Sequence, residues 1–130
     1  MQNTEDIETE KLKEAVIQGI LKKKGKEIVI LDLLKINNAV CRYFILCHGD
    51  SNIQVGAITE SVEKVVREKT HEKVWHREGL QLAQWVLLDY GDIVVHVFQK
   101  PFREFYNLEE LWADAAREEI GEALNINERI

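Results

Sequence analysis

Apolar residues recur at helical spacing in two long stretches of this chain and run nearly unbroken in four shorter ones. From Thr4 to about Lys24, Leu12, Ala15, Val16, Gly19 and Ile20 mark one helix face. Acids crowd its first turn and Lys22, Lys23 and Lys24 its last, which matches the helix dipole, and Gly25 is the natural stop. The second helix opens after Gly49-Asp50-Ser51. Ser51 and Gln54 form a capping-box pattern, and Ile53, Ala57, Ile58, Val62, Val65 and Val66 make a stripe reaching about Lys69. The runs 27–33 and 40–47 are continuous enough to predict central strands covered on both faces. Residues 74–76 predict a short strand and 79–83 a loop. Strands 85–89 and 92–98 then form a hairpin about Tyr90-Gly91. Pro101 ends the sheet, 102–106 makes a helical turn, and Asn107 with Glu110 caps a helix running to about Ile120. A loosely ordered tail is expected after Gly121. The pattern predicts one α/β domain over 1–130, with helices packed on a mixed sheet of about five strands and without repeats, low-complexity stretches or linkers.

The hairpin is the unusual part. Turn tips favour Gly, Asn and Asp, which tolerate positive φ, yet here an aromatic shares the tip with Gly91, between Asp89 and Asp92. Tyr90 is therefore expected to face solvent, and an exposed aromatic at a tip points to a binding surface. Trp85, Leu87 and Asp89 share one strand face, and Phe105, Tyr106 and Trp112 follow shortly after. Phe105, Leu108 and Leu111, at helical spacing, are expected to build core.

Charge narrows the partners. With 23 acidic and 17 basic residues the net charge is −6, the wrong sign for general nucleic-acid binding and a suitable one for a basic protein partner. Residues 1–6 are polar and acidic, without the apolar core of a signal peptide or the Arg/Ser richness of a transit peptide. No run approaches the ~18 apolar residues of a membrane span, so a cytoplasmic protein is expected.

Candidate chemistry is sparse. Cys41 and Cys47 would lie roughly 20 Å apart on one strand, too far for a disulfide, and read as reduced thiols. Cys47 and His48 point to opposite faces, and His71, His76 and His96 are scattered without metal-ligand spacing. Asp89 and Asp92 could share a magnesium ion, but acids flanking a turn are ordinary turn chemistry. No nucleophile motif is present, and His96 inside an apolar strand reads as a hydrogen-bonded sheet residue. These observations favour a non-enzymatic binding module without metal or cofactor.

The run Trp85-Val-Leu-Leu-Asp-Tyr-Gly-Asp-Ile-Val-Val-His-Val-Phe98, followed by Arg103-Glu-Phe-Tyr-Asn-Leu-Glu-Glu-Leu-Trp112, closely resembles the ribosomal silencing factor family, also known as Iojap. The resemblance extends back through 45–51 and 28–32 and covers roughly residues 8–115. It implies a small α/β domain related to nucleotidyltransferases but lacking their catalytic carboxylates. It implies binding to the large ribosomal subunit through ribosomal protein L14. The bound factor blocks joining to the small subunit and represses translation when nutrients are scarce, with organelle relatives tied to large-subunit assembly. Carried over by position, Trp85 and Tyr90 should face the partner, and Asp89, Gly91 and Asp92 should fix the hairpin. Phe105, Tyr106 and Trp112 match the signature and serve contact, packing or both. No membrane and no sequence-specific nucleic acid is implied, and the free protein is left open between monomer and homodimer. Two positions depart from the family pattern: Arg42 stands where many relatives carry aspartate, and His48 where a small residue precedes the glycine. The fold kinship supplies a competing reading, a degenerate nucleotidyltransferase that binds or turns over nucleotides. Against it, Gly49-Asp50-Ser51 is followed by Glu60 and Glu63 on a helix, not by a D-x-D strand.

Overall fold

A computed structural model describes residues 4–121. The expected tail therefore lies outside the described residues. Helix α1 (Thr4–Lys22) leads into β1 (Lys26–Asp32), and a loop returns to β2 (Tyr43–Gly49). Helix α2 (Asn52–Thr70) follows, then β3 (His76–Glu78), β4 (Trp85–Asp89) and β5 (Ile93–Gln99). The described residues close with two short helices, α3 (Lys100–Tyr106) and α4 (Leu108–Leu111), and strand β6 (Ala116–Ile120). The sheet has six strands in the order β3-β4-β5-β2-β1-β6, one more than expected, and it is mixed. Strands β2 and β5 run parallel, with Tyr43 opposite Ile93 and Phe98 opposite His48, and the remaining pairs are antiparallel.

The two continuous apolar runs explain the centre. Every residue of β2 is buried, as is all of β5 except Gln99, because the sheet is covered on both sides. On one side Leu12, Val16 and Ile20 of α1 and Val55, Ile58, Val62 and Val66 of α2 pack on Ile30, Ile45, Val95 and Val97. The α2 stripe begins at Val55, and Ile53, expected within it, is 80% exposed. The two helices cross at Gly19, where an added Cβ would lie 2.6 Å from the Cα of Val62, and Ser61 Oγ donates to the Gly19 carbonyl at 2.7 Å. The forward half of the capping box forms, Ser51 Oγ accepting from the Gln54 amide at 3.1 Å, while Gln54 Oε1 reaches one residue further back and accepts from the Asp50 amide at 2.7 Å.

The other side carries Val29, Leu31, Phe44, Leu46 and Phe98 under the 33–42 loop and the two short helices. Here the expected long helix from Asn107 to about Ile120 does not form. Asn107 adopts a left-handed conformation (φ 46°) that closes α3, and α4 lasts one turn. Residues 116–120 instead pair with β1, Ile120 opposite Ile28 and Ala116 opposite Asp32. The open edge of β1 overrides the helical preference of an Ala-Arg-Glu-Glu segment.

Candidate functional site

The hairpin forms, but its turn lies one position later than expected: Asp89 is opposite Val94, the Tyr90 amide donates to the Ile93 carbonyl at 2.9 Å, and Gly91-Asp92 is the tip. Asp89 Oδ1 accepts from the Gly91 amide at 2.8 Å, and Gly91 has φ 91°, a conformation that glycine adopts without strain. Asp92 Oδ2 instead accepts from Thr9 Oγ1 of α1 at 3.0 Å. The two acids thus serve the turn and its anchor to α1. Among the described residues no three His, Cys, Asp or Glu side chains converge as metal ligands. Cys41 and Cys47 are free thiols, and burial pushes the Cys47 thiol up to about 12.

Tyr90 corrects the expectation of an exposed tip. It is 3% exposed and continues the face of Val86 and Leu88, under the helices. Its hydroxyl is buried and finds no hydrogen-bond partner among the described residues. Burial, reinforced by the Glu63 and Glu72 carboxylates, raises its pKa.

The opposite face gathers the aromatics. Trp85 is half-buried, stacked on Phe98 at a centroid distance of 5.0 Å and packed against Tyr106 at 4.8 Å. Tyr106 in turn meets Phe105 edge-on at 5.1 Å. Beneath them Phe44 contacts His96 at 4.8 Å and Trp112 at 5.4 Å, both edge-to-face. Phe105 and Leu111, expected in the core, are 79% and 72% exposed, whereas Leu108 is buried as expected. The left-handed Asn107 breaks the helical phase between Phe105 and Leu108, so Phe105 leaves the face that Leu108 keeps, while Leu111 is the last residue of the one-turn α4 and stays at the surface. Tyr106 is 47% exposed, and Glu78, Glu104, Glu110 and Asp114 are exposed acids on the same or neighbouring elements. The arrangement is an apolar, aromatic surface with acidic residues beside it, suited to docking a basic protein and not to enclosing a substrate.

His96 was legible as a hydrogen-bonded sheet residue, though not its partner. Its Nδ1 accepts from the Trp85 indole Nε1–H at 3.1 Å, and burial lowers its pKa to about 4. The network that holds α3 was not legible. Arg103, buried, donates to Glu109 Oε2 at 2.8 and 3.3 Å, to the Lys26 carbonyl at 3.3 Å and to His48 Nδ1 at 3.0 Å. His48 is buried too, and burial together with Arg103 lowers its pKa. The two departures from the family pattern are thus both engaged internally, since Arg42 Nε donates to Asp32 Oδ1 at 3.1 Å.

Comparison with known proteins decides the relationship. A family model described as ribosomal silencing factor during starvation matches residues 6–129. The chain belongs to the ribosomal silencing factor family. The ribosomal silencing factor of Halalkalibacterium halodurans is 39% identical over 114 residues, covering 88% of this chain and 96% of the relative. That of Bacillus subtilis is 42% identical over 103 residues, covering 79% and 86%. A crystal structure of a Chromobacterium violaceum protein matches with a TM-score of 0.74 and 35% identity over 80% of this chain and 85% of that one. Among the described residues no helix is long and apolar enough to cross a membrane.

Proposed function

We propose that this protein is a cytoplasmic ribosomal silencing factor acting by occupancy, without turnover. It docks on the large ribosomal subunit through ribosomal protein L14, and its bulk blocks joining to the small subunit, which represses translation under nutrient limitation. The same binding would let it accompany large-subunit biogenesis. Membership of the family supports association with the ribosome. The observation that carries the site is the continuous aromatic surface of Trp85, Tyr106 and Phe105, with Phe105 79% exposed. Aromatics of this kind concentrate binding energy in a few positions of an interface. Asp89, Gly91 and Asp92 hold the hairpin that presents Trp85, and Trp112 braces the surface from below through Phe44. Tyr90 supports the hairpin from the helix side. The exposed acids beside the surface, within a chain of net charge −6, give potential complementary to a basic partner.

The test is co-sedimentation of the purified protein with separated large subunits, small subunits and joined ribosomes. Binding to large subunits alone, with subunit rejoining suppressed in proportion to occupancy, is the expected result. Failure to bind large subunits, or binding that leaves rejoining untouched, would overturn the reading.

A further inference from the structure

His96 sits in the middle of β5 with 4% of its surface exposed, enclosed by Phe44, Phe98 and Trp85 at centroid distances of 4.8, 6.3 and 5.9 Å. The indole nitrogen of Trp85 can only donate a hydrogen bond. His96 Nδ1, which it meets at 3.1 Å, must therefore present a lone pair, and the imidazole proton resides on Nε2. That Nε2 is buried and has no partner among the described residues. A phenyl ring of similar shape would fill the same apolar site without a stranded Nε2–H, but would leave the half-buried Trp85 indole N–H without its acceptor. For the burial of its own polar groups, imidazole is thus the poorer occupant. What it supplies, and phenylalanine cannot, is an acceptor for Trp85.

We propose that His96 is a positioning residue for the docking surface: its Nδ1 lone pair holds the Trp85 indole in the one orientation on which Tyr106 packs. The dependence runs outward through observed contacts, from His96 to Trp85, from Trp85 to Tyr106, and from Tyr106 to the exposed Phe105. A buried imidazole thereby sets the shape of a surface it does not itself form. An indole released from His96 could rotate about its two side-chain torsions, and that freedom would have to be lost again on binding. Burial keeps the imidazole neutral, which preserves the lone pair on which the device depends.

The inference rests on the proposed function for its affinity readout, so a second readout is independent of any partner. In nitrogen-15 NMR of the wild-type protein, the imidazole should show the Nε2–H tautomer, and the Trp85 Nε1–H should exchange slowly with solvent. In His96→Phe that indole signal should shift and exchange faster. Thermal stability should be unchanged or raised, and the affinity for isolated large subunits should fall about tenfold or more. In a Trp85→Phe background, which has no indole N–H to hold, adding His96→Phe should cost no further affinity. His96→Leu, smaller than the native ring, serves the same comparisons if the phenyl variant does not fold. An Nδ1–H tautomer, an indole signal indifferent to His96, or undiminished affinity in the folded variant would overturn the proposal. So would a loss that persists in full in the Trp85→Phe background. If the wild-type protein does not bind large subunits, the proposed function fails, and the NMR result alone judges the positioning role.

Discussion

Trp85 and Tyr90 lie on opposite faces of the sheet, five positions apart along one extended run. Trp85 stacks with Phe98 on the side of the short helices, and Tyr90 joins Val86 and Leu88 beneath α1 and α2. This division assigns them different work, one presenting a surface and the other filling the core that supports it. The Tyr90 hydroxyl is buried without a partner, a situation that costs roughly 1–3 kcal/mol. Tyr90→Phe should therefore raise stability by about 1 kcal/mol, whereas Tyr90→Ala should lose ~3–5 kcal/mol through the cavity it leaves. Urea unfolding measures both. Subunit binding by Tyr90→Phe should equal wild type, and a lowered midpoint for that variant would show that the hydroxyl is satisfied after all.

Phe105 offers the converse case. At 79% exposure it contributes little to the fold, so Phe105→Ala should change stability by no more than about 0.5 kcal/mol. Its loss from the docking surface should cost about 2 kcal/mol of affinity for the large subunit, in the range of an interface hot spot. Sedimentation titrations with the folded variant decide this, and unaltered binding would remove Phe105 from the surface.

Much of this was legible in the residues, and the failures have local causes. Helical spacing located α1 and α2, and unbroken apolar runs located β1, β2 and β5, because these elements bury enough side chain to impose a period. Tyr90 was misread because a turn position was taken to end the strand's alternation, although Val86, Leu88 and Tyr90 keep the period of two. Phe105 differs from expectation because a single left-handed residue, Asn107, resets the helical phase before Leu108, and Leu111 because α4 ends there after one turn. Strand β6 carries no β signal of its own. Its conformation comes from hydrogen bonds to β1, more than eighty positions earlier in the chain, which a local pattern cannot contain. The pairing of Arg103 with His48, fifty-five positions apart, was hidden for the same reason.

That pairing makes Arg103 the polar hinge pin of α3, the helix carrying Phe105 and Tyr106. Removing it strands Glu109, whose Oε2 accepts two of the guanidinium's four bonds, and leaves the Lys26 carbonyl and His48 Nδ1 without this donor. Arg103→Ala should destabilise the protein by about 3–5 kcal/mol, as expected when one partner of a buried ion pair is lost. The double variant with Glu109→Ala should lose less than the sum of the two single changes, because no uncompensated carboxylate remains. A double-mutant cycle by chemical denaturation checks this, and strict additivity would mean that the pair is not coupled.

The buried histidine also sets a direction for acid sensitivity. His96 has its pKa lowered by burial to about 4, whereas an unfolded chain would restore it to about 6.5. Above the unfolded value both states are neutral and pH has no effect through this group. Below it the unfolded chain takes up a proton that the folded protein refuses, so stability falls as pH drops from about 6.5 towards 4. At about 1.4 kcal/mol for each pH unit, the loss between pH 7 and pH 5 should be roughly 2 kcal/mol from His96 alone. His48, also lowered by burial and by Arg103, acts in the same direction. Denaturation midpoints of the wild-type protein and His96→Phe at the two pH values isolate the contribution. The wild-type protein should lose about 2 kcal/mol more than the variant, and equal losses would mean that His96 can be protonated in the folded state, breaking its bond to Trp85.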